Sequence, residues 1–199
     1  MAESTGLRER KKAATRLALH EAALRLAAEQ GPDRVTVEAI ADAAHVSRRT
    51  FSNYFSSKEE ALFHGDTARL RRMLDLLHER PADEPPWTAL SRAALDLAAD
   101  VYDDSARSWL TGRRRLHGHP GLIAHQVAAY TAIERELAAE LARRAGRPGA
   151  LRSRVLAATF LATLRVAVQH WLEHPDGSLV DTLGAALAEA APAPPADGR

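Results

Sequence analysis

Apolar residues recur along most of this chain at helical rather than strand spacing. Leu19, Ala22, Ala23, Leu26 and Ala27 fall at i, i+3, i+4, i+7 and i+8, which is one face of a helix. Gly31-Pro32 ends it, glycine being favoured just past a helix terminus. Thr36 is the expected N-cap of a short second helix, with Val37, Ile40, Ala41 and Ala44 facing inward. A tight turn at Ala44-His45-Val46 leads to Ser47, a second N-cap. A third helix is expected over about 48–55, with Phe51 and Phe55 one turn apart on its buried side. Ser57-Lys58-Glu59-Glu60 reads as a capping box that opens a long helix through Leu62, Leu70, Met73, Leu74 and Leu77 to about Arg80. Prolines 81, 85 and 86 break the pattern. Beyond them, helices are expected over about 87–103, 105–116, 121–145, 150–174 and 178–190.

No useful run alternates with period two. The expectation is therefore an all-α fold of about nine helices, an N-terminal three-helix part followed by a larger C-terminal helical part. The expected domains are residues 1–57 for the N-terminal arm and three-helix part, 58–191 for the C-terminal helical part, and 192–199 for a disordered Pro/Ala tail. Residues 1–7 are also expected to be disordered.

Composition narrows the function. Lys+Arg is 27 and Asp+Glu is 26, a net charge of +1, which excludes a polycationic packaging protein but not a local basic face. With no cysteine, thiolate metal sites, thiol nucleophiles and disulfides are excluded. No run approaches the roughly 18 apolar residues of a membrane span, and the charged N-terminus lacks the apolar stretch of a secretion signal, so a cytoplasmic location is expected.

The chemistry concentrates between residues 36 and 58. Two short helices joined by a tight turn, after a longer supporting helix, form the helix-turn-helix pattern. Its second helix must present a donor-rich face to the major groove while the opposite face packs on the domain. Residues 47–58 hold three cations and no Asp or Glu, as suits a surface beside phosphates. Phe51 and Phe55 are expected in the core, which leaves Arg48, Arg49, Thr50, Ser52, Asn53, Tyr54 and Lys58 to face outward.

The run Thr36-Val37-Glu38-Ala39-Ile40-Ala41, followed by Val46-Ser47-Arg48-Arg49-Thr50-Phe51 and Tyr54-Phe55-Ser56-Ser57-Lys58-Glu59-Glu60-Ala61-Leu62, resembles the DNA-binding domain of the TetR family of transcriptional regulators. The resemblance covers about residues 10–64. It implies that Arg48, Arg49 and Asn53 touch base edges, arginine pairing with guanine and asparagine with adenine. It assigns Thr36, Ser47, Thr50, Ser52, Tyr54 and Lys58 to the DNA surface, chiefly as phosphate contacts. Two positions depart from the family pattern: Ser52 and Ala27 stand where aromatics are common.

By the same resemblance, the protein is a sequence-specific regulator, a repressor released from a palindromic operator by a small, largely apolar ligand, and it acts as a homodimer. A DNA-binding helical protein without small-molecule control is the alternative. Ligand-pocket candidates are Trp87, Tyr102, Trp109, His125, Gln126 and Tyr130. Candidates for the surface between subunits are Phe160, Leu164, Val168, Trp171, Leu183 and Leu187, on two helices whose apolar width exceeds what one neighbour covers. No cofactor, metal or catalytic residue is expected. The run His170-Trp171-Leu172-Glu173-His174 matches H-x-x-E-H, but it lies at a helix end with no evident third ligand downstream. His117-Gly118-His119 with His125 is a looser possibility of the same kind.

Overall fold

The computed structural model describes residues 2–101, 116, 119–146, 149–174 and 177–193. Among these, eight α-helices and one 3-10 turn are present, and no strand. They are α1 (Ala2–Gln30), the 3-10 turn (Pro32–Arg34), α2 (Val37–Ala43), α3 (Arg48–Ser52), α4 (Lys58–Glu79), α5 (Pro86–Val101), α6 (Pro120–Arg144), α7 (Leu151–Glu173) and α8 (Leu179–Glu189). The expected helix at 105–116 lies outside the described residues apart from Leu116, as do residues 194–199 of the tail.

One expectation at the N-terminus is overturned. Helix α1 begins at Ala2 instead of following a disordered stretch. Glu3, Leu7, Arg8, Glu9, Arg10, Lys11 and Lys12 form helix well and no proline interrupts them, so the helix anchored at Leu19–Ala27 propagates backward. At the other end Gly31 turns the chain out of α1 with φ +84°, a conformation costly for any residue with a Cβ.

The chain packs as two units, and the division falls within α4 and not at its start. The first unit comprises residues up to 68 together with 107–127. Its core joins Leu19, Ala23, Ile40, Phe51, Phe55 and Leu62, with Leu116 and Leu122 closing it. The expected boundary at 57/58 marks the loop before α4, but Ala61, Leu62 and Phe63 are buried in this first core, so the opening turns of α4 fold with it.

The second unit comprises residues 69–106 and 128–199. In it, α8 packs on both α5 and α7. Trp87 lies edge-on to Phe160 at 6.1 Å and donates its ring N–H to the Leu187 carbonyl at 3.1 Å. Phe160 is fully buried, and Leu183 and Leu187 are buried with it. These three were expected between subunits; they lie inside the chain's own core because α5 and α8 cover that face of α7. Leu164, Val168 and Trp171 are half-buried at its margin.

The apolar residues left on the outside of α7 are others. Leu151 is 74% exposed, Val155 54% and Val166 53%. With Ala162 they sit at i, i+4, i+11 and i+15, one stripe along the helix. Helix α7 is in fact long and apolar enough to cross a membrane by length and composition, contrary to the expectation from the sequence. Its arginines at 152, 154 and 165 and its packing on α8 give it the character of a core helix with one uncovered apolar face.

A buried cluster fixes the far end of α4. Glu140 accepts from Arg143 at 2.7 and 2.8 Å and from Arg144 at 2.9 Å, and His78 lies 3.1 Å from the same carboxylate. Arg144 in turn donates to the carbonyls of Leu77, Arg80 and Pro81, at and just past the end of α4. Burial pushes the Glu140 carboxyl up, but the bonds from Arg143 and Arg144 and the charge of His78 outweigh it and hold it below the ordinary carboxylate value.

Arg144→Ala leaves the end of α4 without its cap and Glu140 with Arg143 and His78 alone. It should cost about 1–3 kcal/mol of unfolding free energy, read by urea denaturation at neutral pH. Because the Glu140 pKa is depressed in the folded state, its contribution is present in full above about pH 4.3 and is lost as pH falls below that. The stability gap between wild type and Glu140→Gln should narrow over that range; a gap independent of pH would contradict the assignment.

Candidate nucleic-acid interface

The second and third helices are positioned by their caps. Thr36 Oγ1 accepts from the Ala39 N–H at 3.1 Å to start α2, and Ser47 Oγ accepts from the Thr50 N–H at 3.0 Å to start α3. The Ser47 and Thr50 hydroxyls also meet at 2.9 Å. Between the helices, the Val46 N–H reaches the Ala41 carbonyl at 2.9 Å, which requires a left-handed residue at His45, with φ +55°. His45 is exposed and makes this turn without the freedom of glycine.

Helix α3 has five residues, too few to stand alone. Phe51 and Phe55 hold it: both are buried, their rings 5.8 Å apart, and Phe55 meets the edge of His64 at 5.4 Å. His64 is edge-on to His20, whose Nδ1 pairs with the Ala61 carbonyl at 2.7 Å. Arg16, from the basic stretch of α1, lies over the rings of Tyr54 and Phe55 and donates to the Tyr54 carbonyl at 3.3 Å. That arginine fastens α1 to the end of α3.

The outward face is as expected for most positions. Arg48, Arg49, Ser52 and Asn53 are exposed, as are Thr36 and Ser47 at the two caps; Thr50 and Tyr54 are half-buried. The structure brings these eight residues onto α2, α3 and their flanks within one unit. Arg48 does not stand alone: its Nη1 lies 3.0 Å from Glu38 Oε1 on α2, both side chains being exposed. Glu38 is a residue the sequence reading passed over, although a carboxylate on the helix before the reading helix is a legible signal.

Lys58 departs from expectation. Its ammonium donates to the carbonyls of Pro32, Asp33 and Val35 at 3.1, 3.2 and 2.9 Å. An ammonium has three donors, so all are committed within the chain, and Lys58 serves to lock the 3-10 turn to the start of α4. The capping box next to it is also modified. The Glu60 N–H donates to Ser57 Oγ at 3.2 Å, but the Glu60 carboxylate reaches back to the N–H and hydroxyl of Ser56, both at 2.7 Å.

The expected ligand-contacting residues do not gather in one described place. Tyr102 and Trp109 lie outside the described residues, as does the side chain of Gln126. Trp87 and Tyr130 pack against the core of the second unit. His125 is exposed in the first unit, 3.9 Å from Glu59.

Comparison with known proteins bears on the same segments. Residues 19–64 match the family model for bacterial regulatory proteins of the tetR family, and residues 84–194 match the MftR C-terminal domain. The chain is 34% identical over 181 residues to the HTH-type transcriptional regulator TcmR of Streptomyces glaucescens, covering 87% of this chain and 80% of that protein. It is 30% identical over 182 residues to the putative mycofactocin biosynthesis transcriptional regulator MftR of Mycobacterium tuberculosis, covering 89% and 90%. Among solved structures, the SmeT–triclosan complex shares the fold with a TM-score of 0.61 and 20% identity over 89% of this chain and 90% of that one.

Two substitutions separate structural from contacting roles. Lys58→Met should destabilise the fold by about 1–3 kcal/mol through the unmet carbonyls, while the salt dependence of DNA affinity stays as in wild type; a slope shallower by about one would instead mark Lys58 as a phosphate contact. His45→Gly should raise the unfolding free energy by up to about 1 kcal/mol by relieving the left-handed turn; a loss would show that the imidazole itself stabilises it.

Proposed function

The chain belongs to the tetR family of bacterial regulatory proteins, transcriptional regulators with an N-terminal helix-turn-helix, and on that premise we propose that it is a dimeric repressor released from a two-fold operator by a largely apolar small molecule. The observation that carries this reading is the exposed, acid-free face of α3, where Arg48, Arg49 and Asn53 surround a buried Phe51. Arginine and asparagine have the donor geometry for guanine and adenine edges in the major groove. The capped starts of α2 and α3 at Thr36 and Ser47 support phosphate contacts, since helix N-terminal amides and hydroxyls favour phosphate oxygens.

One copy neutralises too few phosphates for tight binding, so pairing of copies is part of the proposal. The uncovered stripe of Leu151, Val155, Ala162 and Val166 on α7 supports it, since a monomer gains nothing by leaving that face in water. This stripe replaces Phe160, Leu183 and Leu187 as the proposed contact; Leu164, Val168 and Trp171 lie on the other side of α7, packed against the chain's own core. The ligand part of the proposal rests on the family and on the triclosan bound to SmeT. A ligand held in the second unit would act through α4, which begins beside α3 and ends in that unit, and only by binding the two states of the protein unequally.

The test is selection of bound duplexes from a random pool, followed by affinity measurements. Wild type should select two inverted half-sites about 34 Å apart. The double variant R48A/R49A should lose selectivity among them, at about 1–3 kcal/mol per guanine contact, while remaining folded. A pool enriched in no sequence, or a variant that selects the same one, would overturn the reading. Separately, V155E/V166E should shift the protein to monomer in sedimentation and weaken operator binding; a dimer unaffected by both charges would move the interface elsewhere.

A further inference from the structure

The far end of α7 carries a feature that DNA recognition does not use. His170 and His174 are one helical turn apart, both exposed, with ring centres 4.5 Å apart and planes inclined by 33°. We propose that these two imidazoles form a chelating site for a divalent transition metal of the copper or nickel type, with water in the remaining positions.

Three observations carry it. The first is the separation. With metal–nitrogen bonds of about 2.0–2.1 Å, two imidazoles on adjacent corners of a square or octahedral site have ring centres about 4.4 Å apart. A tetrahedral angle spreads them to about 5 Å by the same bond lengths. The observed spacing is short enough for both rings to serve as neighbouring ligands of one ion, an arrangement that copper(II) and nickel(II) accept.

The second is the tautomer. His174 Nδ1 lies 3.0 Å from the His170 carbonyl, an oxygen that can only accept, so in the neutral ring Nδ1 carries the proton and Nε2 the lone pair. Donation of the second ring N–H to a backbone carbonyl is the usual support for a metal-bound histidine, because it fixes both tautomer and orientation.

The third is the surrounding backbone. His174 caps α7, and its N–H donates to the same His170 carbonyl at 2.9 Å. The ring of Trp171 donates to the Gly177 carbonyl at 2.6 Å, which fixes the start of the following turn. The two imidazoles therefore belong to an ordered helix end, and less freedom is lost on chelation than for two loose surface side chains. Among the described residues no three metal-binding side chains cluster, so His170 and His174 are the described protein ligands of the proposed site. This arrangement binds metal without the closed shell of a structural zinc site. A metal across this pair would tie the last turn of α7 to its cap.

The experiment uses the full chain and copper(II) chloride. Calorimetry should show one equivalent bound per chain, and the paramagnetic resonance spectrum should carry nitrogen coupling from two imidazoles. H170A and H174A should each weaken binding at least about tenfold and reduce that coupling to one nitrogen or none. Wild type should gain thermal stability with excess copper, and H170A should not. Both side chains are exposed, so both variants should keep the wild-type circular dichroism; if either does not, H170Q and H174Q replace them. Copper bound with unchanged affinity and spectrum in both variants, or no nitrogen coupling in wild type, would overturn the proposal.

Discussion

A helix of five residues that must be rigid enough to read DNA cannot supply its own rigidity. That constraint orders the first unit. Phe51 and Phe55 take the inner face of α3 into a core built by α1, α2 and the opening turns of α4. Ser47 fixes where the helix starts, and the left-handed turn at His45 fixes its direction from α2. Arg16 clamps its exit from the side of α1. What remains outside is a row of donors with no carboxylate on α3 itself, and Glu38 reaches it from α2 and holds Arg48. The counterion-like pairing is exposed and therefore weak, so it orients the arginine without withholding it from a stronger partner.

Helix α4 links this assembly to the rest of the chain, and each of its ends is held by a cation bonded to backbone carbonyls. Lys58 at the start binds the turn at Pro32–Val35; Arg144, from α6, binds the last carbonyls of α4 and is itself held by buried Glu140. The two fastenings belong to different packing units. A helix fixed in this way at both ends does not absorb a displacement by fraying, which supports the proposed part of α4 in carrying a ligand signal.

The first unit was the more legible part of the sequence because its constraints are local. N-caps at Thr36 and Ser47, the glycine stop at Gly31 and the Phe51/Phe55 spacing each depend on residues within one turn. The seat of Lys58 was not legible for the opposite reason: a cation beside this helix reads as a phosphate contact, while the fold brings the carbonyls of a turn some two dozen residues earlier beneath it. Helix α7 was misread on its faces. It is apolar nearly all round, so periodicity could not say that Phe160 points into the chain while Val155 points out. Only the packing of α5 and α8 decides that. The Glu140–Arg144 pair did carry a signal, an acid four residues before an arginine, but its burial depends on the end of α4. The expected pocket had no pattern of its own, and its candidates divide: Trp87 and Tyr130 pack against the core of the second unit, while His125 is exposed in the first.

The central claim is that the exposed side of α3 lies in the major groove at two symmetric places. The most direct measurement is interference by methylation of guanine N7 on a selected duplex, since N7 is an acceptor exposed only in the major groove. The account predicts that methylation blocks binding at guanines in two inverted positions about one helical turn apart. Binding that tolerates N7 methylation throughout the site would place recognition elsewhere and contradict it.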